Sequence, residues 1–97
     1  MTRIVFLDAA EEEMLEAAKF YEQQVPKLGH RYLAAIQHTT SLIESNPQLG
    51  SPQQGNIRRF IVRRFPYALL YRTDPHEIIV LAVMHLRRRP GYWKSRA

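Results

Sequence analysis

The sequence of 97 residues contains no cysteine, which excludes disulfide bonds and thiolate chemistry. This absence fits a reducing compartment, and we expect a cytoplasmic protein. The longest apolar run, Ile78–Met84, is far too short to span a membrane. Acidic residues follow the first apolar run too early for a signal peptide. Length and composition therefore predict a single globular domain over residues 1–97, with one modest core.

Several kinds of reactive site are also missing. The sequence has only four glycines, and it contains neither a glycine-rich phosphate loop nor a Gly-x-Ser-x-Gly elbow. The histidines lack cysteine partners and the adjacent-turn spacing of a zinc pair. They are His30, His38, His76 and His85. We expect no metal and no cofactor.

Acidic residues are scarce in the second half of the chain. Residues 58–97 hold ten lysines and arginines against two acids, whereas residues 1–57 hold four against seven. A split of this size predicts a basic functional face in the second half. Its partner should be acidic, either nucleic acid or an acidic protein segment.

The first half has the pattern of a strand followed by two helices. Residues 2–7 form a short β-rich run, and Asp8 with Glu11 resembles the N-cap and N3 residues of a capping box. The neighbouring acids, Glu12, Glu13 and Glu16, are expected to form a solvated first turn. Two apolar stripes then follow at helical spacing. They comprise Ala10, Met14, Ala17, Ala18, Tyr21 and Val25, and then Leu28, Tyr32, Ala35, Ile36, Thr39 and Ile43.

Pro26 and Gly29 separate the two stripes, so we expect an antiparallel helical hairpin that ends at Ser45–Pro47. The polar segment Pro47–Asn56 is rich in turn residues and is predicted to be a mobile loop.

The second half has the pattern of three strands. They cover Ile57–Arg64, Tyr67–Arg72 and Glu77–His85, and the last is continuously apolar, as in an interior strand. In the first of them, Phe60 and Val62 should face one side, with Arg59, Ile61 and Arg63 on the other. The predicted fold is α+β, in the order β-α-α-β-β-β, with the hairpin packed on one face of a small, mostly antiparallel sheet.

His85 is the candidate for chemistry, because it closes the interior strand at the boundary between core and solvent. A neutral imidazole there could act as a general base towards a ribose 2′-hydroxyl, with arginines holding the phosphate. The simpler interpretation is that its ring hydrogen-bonds the backbone or Tyr92 and closes the strand.

Arginines alternate with aromatic residues throughout the second half. This mixture suits single-stranded nucleic acid, through phosphate contacts and base stacking. It suits an acidic, amphipathic protein segment equally well. For Phe60, Tyr71 and Trp93, core packing is the simpler interpretation. The residues that we expect to contact a target or partner are Arg58, Arg59, Arg63, Tyr67, Arg87, Arg88, Arg89 and Trp93.

The sequence resembles the toxins of the RelE/ParE superfamily over nearly its full length. The resemblance rests on three segments: FYEQQVPKLGHRYLAAI (Phe20–Ile36), FPYALLYR (Phe65–Arg72) and IIVLAVMHLRRRPGYW (Ile78–Trp93). The last two are most similar to ParE-type and plasmid stabilisation members. The resemblance implies the toxin of a bacterial type II toxin–antitoxin pair, bound by a cognate antitoxin in a hetero-oligomer.

The superfamily includes ribosome-dependent mRNA endonucleases and inhibitors of DNA gyrase. The endonucleases typically carry a basic residue in the middle of the penultimate strand, where this chain has Ala68, Leu69 and Leu70. This departure favours the gyrase inhibitor. In the alternative, a nuclease, the catalytic residues would be His85, Tyr92 and Arg64. A partner-binding relative without toxicity is the third possibility.

Overall fold

The structure is a computed structural model that describes residues 3–97. Within that range, the elements are β1 (Arg3–Phe6), α1 (Asp8–Gln24), α2 (Leu28–Ser45), β2 (Ser51–Gln54), β3 (Ile57–Ile61), β4 (Tyr67–Thr73), β5 (Glu77–His85) and a C-terminal 3-10 helix (Tyr92–Arg96). Thr2, where the first strand was predicted to begin, lies outside the described residues. The predicted helical hairpin and its end at Ser45 are confirmed.

The strands form one mixed sheet in the order β1-β5-β4-β3-β2. β1 runs parallel to β5, because the helical hairpin returns the chain to the same end of the sheet, and the other neighbours are antiparallel. The α+β class and the mostly antiparallel sheet are therefore confirmed. β5 is an interior strand, as its continuous apolar run predicts.

The two faces of the sheet are covered very differently. Both helices pack on one face, where Tyr32, Ile36 and Ile43 meet Leu69 and Val80. The opposite face is covered only by the C-terminal 3-10 helix among the described residues, through Trp93, which packs with the cluster of Leu70, Leu81 and Met84. The side chains of this second cluster are nevertheless buried, and Leu70 and Leu81 have no exposed surface.

The corner between the helices is built by Glu22 and Gly29. The Glu22 carboxylate accepts hydrogen bonds from the backbone N–H groups of Lys27 and Gly29, at 2.8 and 3.0 Å, which caps the start of α2. These bonds, the Lys27 bond foremost, lower the pKa of Glu22. At Gly29 the helices touch so closely that a Cβ would lie 2.5 Å from the carbonyl oxygen of Ala18.

The predicted capping box is wrong. Leu7 is the N-cap residue of α1 and makes no side-chain cap, and Asp8 is already helical. Leu7 continues the β1 pairing instead, since its N–H donates to Val80 O at 3.0 Å. Strand pairing therefore fixes the start of the helix one residue earlier than the capping pattern suggests.

Within the predicted loop Pro47–Asn56, the loop assignment is wrong at Ser51–Gln54, which form the edge strand β2. Two contacts distant in sequence hold the segment before it. The hydroxyl of buried Tyr71 donates to Pro47 O at 2.7 Å and accepts from Gly50 N at 2.9 Å. The following strand, β3, ends at Ile61 rather than Arg64. Phe60 and Val62 share one face as predicted, and the structure places that face under the helices.

Candidate functional site: the end of β5 and the C-terminal tail

The last half of β5 has no strand partner on its β1 side, because the pairing with β1 ends at Val80. A side chain from α1 and one from the tail replace the missing strand. Glu13 accepts a hydrogen bond from Val83 N at 3.0 Å, and Arg96 donates to Leu81 O at 3.1 Å. Backbone groups that would otherwise be unpaired at the sheet edge are thereby satisfied.

Glu13 is the centre of this arrangement. Its two carboxylate oxygens accept hydrogen bonds from the two terminal nitrogens of Arg96, at 2.9 and 3.1 Å. Oε2 also accepts a hydrogen bond from the Tyr92 hydroxyl at 2.7 Å. Only 16% of its side chain is exposed, so the predicted solvated acid is in this case wrong. The bidentate arginine and the tyrosine fix the tail against α1 and β5.

The ring of Tyr92 lies between charged side chains. Arg88 lies over its ring at 4.2 Å, and Arg96 lies at 5.1 Å from the same ring centre. Burial and the hydrogen bond to Glu13 raise the pKa of the Tyr92 phenol well above its ordinary value. The phenol is therefore neutral throughout the physiological range and holds the tail as a hydrogen-bond donor.

His85 faces the helices at the end of β5. Its Nδ1 accepts the Arg87 backbone N–H at 3.0 Å, and its ring packs edge-on against Tyr67 at 5.1 Å. His85 therefore lies at the end of the strand with its ring bonded to the backbone, and its role in chemistry stays a prediction. A shallow pocket of about 240 Å³ lies beside it, lined also by Glu16, Phe20 and Arg88.

The candidate catalytic residues lie in three different settings. His85 lines the shallow pocket, the Tyr92 hydroxyl is bonded to Glu13, and Arg64 is exposed in the β3–β4 turn with a left-handed φ of 71°. Neither Tyr92 nor Arg64 lines the pocket of His85.

Some of the predicted contact residues are engaged inside the fold, and others are exposed. Arg58 is used internally, donating to Gly50 O at 2.8 Å. Trp93 is only 5% exposed, and Tyr67 packs in an aromatic cluster with Tyr21 and Tyr32. The exposed members of the set are Arg63, Arg87, Arg88 and Arg89.

A groove of about 380 Å³ opens on the sheet face away from the helices. We call it the sheet-face groove: its floor includes Leu70, Met84 and Trp93, and its cations are Arg59, Arg88 and Lys94. The groove runs between the β2–β3 hairpin and the tail.

Sequence reasoning missed Glu13, Lys94 and Arg96. The available signal was weak: Glu13 lies three residues after Ala10 and four before Ala17, which places it beside the apolar stripe of α1. The side chains that meet it from the tail come from more than 75 positions later in the chain, and helical periodicity carries no information about them.

No cluster of three or more histidine, aspartate or glutamate side chains suited to a metal ion occurs within residues 3–97. Over the same range, neither helix has the length and hydrophobicity needed to cross a membrane.

A helical hairpin on one face of a five-stranded, mostly antiparallel sheet, with β1 parallel to β5, is the fold expected of a toxin of the RelE/ParE superfamily. Within that superfamily the chain belongs to the ParE toxin family. The family model described as "ParE toxin of type II toxin-antitoxin system, parDE" matches residues 4–90. None of the curated proteins matches the chain significantly.

A solved structure described as the "Chromosomal ParDE TA system from P. aeruginosa" contains a chain similar to this one. The TM-score is 0.65 at 18% sequence identity, and the match covers 88% of this chain and 96% of that chain. At this level of identity, the similarity shows a shared fold.

Proposed function

We propose that this chain is a type II toxin that inhibits DNA gyrase and is neutralised by a cognate antitoxin in a cytoplasmic hetero-oligomer. The observation that carries the proposal is the family match over residues 4–90, because the matching family is that of the ParE toxins rather than the superfamily in general. The solved relative is described as a ParDE toxin–antitoxin system, which supports an antitoxin partner for this chain as well.

The middle of β4 supports the same choice. Ala68, Leu69 and Leu70 are fully buried there, so the strand presents no cation to an RNA phosphate at this position. The candidate acid–base groups are engaged elsewhere: Tyr92 donates to Glu13, and Nδ1 of His85 accepts from Arg87 N. A protein that acts by binding gyrase needs a complementary surface rather than converging reactive groups.

The exposed arginines at the exit of β5 provide such a surface. Arg87 and Arg89 project from the turn after His85, and neither forms an ion pair with another described residue. We expect them to contact the gyrase–DNA complex, whose phosphates are the obvious acidic partner.

A supercoiling assay with purified gyrase tests the proposal. The protein should reduce supercoiling or accumulate cleaved DNA, and the double variant R87Q/R89Q should require about tenfold more protein for the same effect. The variant R3Q/R31Q, which removes two exposed arginines elsewhere, is the charge-matched control. Unchanged supercoiling at molar excess of the wild-type protein would contradict gyrase inhibition.

The shallow pocket beside His85 favours one alternative, a ribosome-dependent RNA endonuclease. It places an imidazole, Glu16 and Arg88 around a space of about 240 Å³. This alternative requires cuts in translated mRNA that disappear in H85A and weaken in Y92F. Cuts that persist in both variants would remove these residues from the reaction, and growth unaffected by expression without antitoxin would indicate a partner-binding relative.

A further inference from the structure

We propose that Glu13 and Arg96 lock the open edge of β5 and thereby prevent it from pairing with the same edge of a second copy of this chain. The open edge is the stretch Leu81–His85, which lies beyond the end of the pairing with β1. We call the two side chains the edge lock. The edge lock is a conformational device of the fold and acts whichever target the protein binds.

The open edge has the composition of a strand that pairs readily. A strand without a neighbour presents free N–H and C=O groups, on which another chain can add a strand. Residues Leu81–Met84 are all apolar and buried in the core, so a charged residue that would discourage pairing is not tolerated among them. The open stretch is also long enough for a strand of ordinary length.

Two backbone groups of this stretch face the open side. Leu81 is the extra residue of a bulge, because the pairing of β5 with β4 shifts between Leu70 and Tyr71. After the bulge, Leu81 O and Val83 N point away from β4, toward the side on which β1 pairs with the first half of β5. A second copy of the open edge, running antiparallel, would bond to the same groups.

The edge lock occupies both groups with side chains from distant parts of the chain. Glu13 accepts a hydrogen bond from Val83 N at 3.0 Å, and Arg96 donates one to Leu81 O at 3.1 Å. One acceptor and one donor therefore lie where a neighbouring strand would supply backbone groups. Side chains satisfy the edge without offering a further row of N–H and C=O groups, so the sheet ends there.

The two members of the edge lock also hold each other. The terminal nitrogens of Arg96 donate to both carboxylate oxygens of Glu13, at 2.9 and 3.1 Å. Only 16% of the Glu13 side chain and 22% of the Arg96 side chain are exposed, so water competes weakly for these bonds. Removing either member should therefore open the edge.

The variants E13A and R96M test the edge lock. E13A removes the bond to Val83 N and the contacts to the tail, whereas R96M removes only the guanidinium and keeps an apolar stem. E12A and R31M change exposed side chains of α1 and α2 and are the matched controls. Each protein is studied alone, by size-exclusion chromatography with light scattering over a range of concentrations and by amide hydrogen exchange.

We expect E13A at high concentration to reach about twice the molar mass of E12A, because the opened edges pair into a dimer. R96M should associate less strongly, since Val83 N remains bonded to Glu13. In dilute E13A, the Val83 amide should exchange about tenfold faster than in E12A, because its hydrogen bond is lost. At high concentration its protection should return, which locates the association at the edge of β5.

Equal molar masses for both variants and their controls would overturn the proposal, since the opened edge would then pair with nothing. Association of E13A without renewed protection of the Val83 amide would also overturn it, because another surface would be responsible. A wild-type protein that associates as strongly as E13A would mean that the edge is not locked. If E13A does not fold, the molar mass of R96M relative to R31M decides.

Discussion

At the scale of single residues, Glu13 shows how one side chain can join three distant parts of a chain. It bonds the β5 backbone at Val83, the Tyr92 hydroxyl and the Arg96 guanidinium. Because the carboxylate is largely shielded from water, these charge-assisted bonds are worth more than an exposed ion pair. The residue therefore connects α1, the sheet edge and the tail.

Replacing Glu13 with glutamine should destabilise the protein by about 2 kcal/mol, because the bidentate pairing with Arg96 is lost while the arginine stays partly buried. Glu12, exposed on the same turn, provides the control E12Q. Urea unfolding measures both variants. A free energy of unfolding for E13Q within error of that for E12Q would contradict this role.

At the scale of elements, the helical hairpin depends on close contact at its corner. Gly29 lets α2 approach the Ala18 carbonyl, and Glu22 satisfies the first backbone donors of α2. Each helix buries its apolar face only against the other helix and the sheet. The geometry of the corner therefore determines how the two helices pack together.

Two opposite effects on stability can be expected for the substitution G29A. Helix propensity alone favours alanine by about 1 kcal/mol. The structure predicts the reverse, a loss of about 1–3 kcal/mol, because the new Cβ would lie 2.5 Å from a backbone oxygen that cannot rotate away. Thermal unfolding gives the sign directly, and a more stable G29A protein would show that the helices are not in this contact.

Glu22 should give the hairpin a measurable pH dependence. Its pKa is lowered in the folded state, chiefly by the Lys27 N–H, so its stabilising effect is present above the ordinary glutamate pKa of about 4.3 and is lost as the pH falls through the lower folded value. The difference in stability between wild type and E22Q should therefore shrink below about pH 4. A difference that stays constant from neutral pH to about pH 3 would rule out this contribution.

At the scale of the whole molecule, the sheet is protected on one face by two helices and on the other by a short tail. Trp93 is the only tryptophan of the chain and packs with the second cluster beside Leu81 and Met84. Arg59, Arg88 and Lys94 line the groove on this side, and Arg87 and Arg89 are exposed at the exit of β5. The tail thus both completes the core and borders the sheet-face groove.

Replacing Trp93 with alanine should cost about 3–5 kcal/mol, a large part of the stability of a domain this size. W93F, which keeps an aromatic ring in the cavity, should cost clearly less. Denaturation followed by circular dichroism compares the two. Equal stability of W93A and wild type would mean that the tail does not cover the sheet in solution.

The sequence by itself determined the α+β class, the helical hairpin, the interior strand β5 and the superfamily, because each rests on local periodicity or on recognisable segments. It failed at Ser51–Gln54, where the polar strand β2 is fixed by pairing with β3, and at Asp8, where pairing through Leu7 prevails over the capping pattern. Only the tertiary structure brought Glu13 to Tyr92 and Arg96 and enclosed a cationic groove beside Trp93. These contacts join residues far apart in the chain. They form where the last half of β5 has no neighbouring strand, and the local sequence pattern does not show which strand lacks a neighbour.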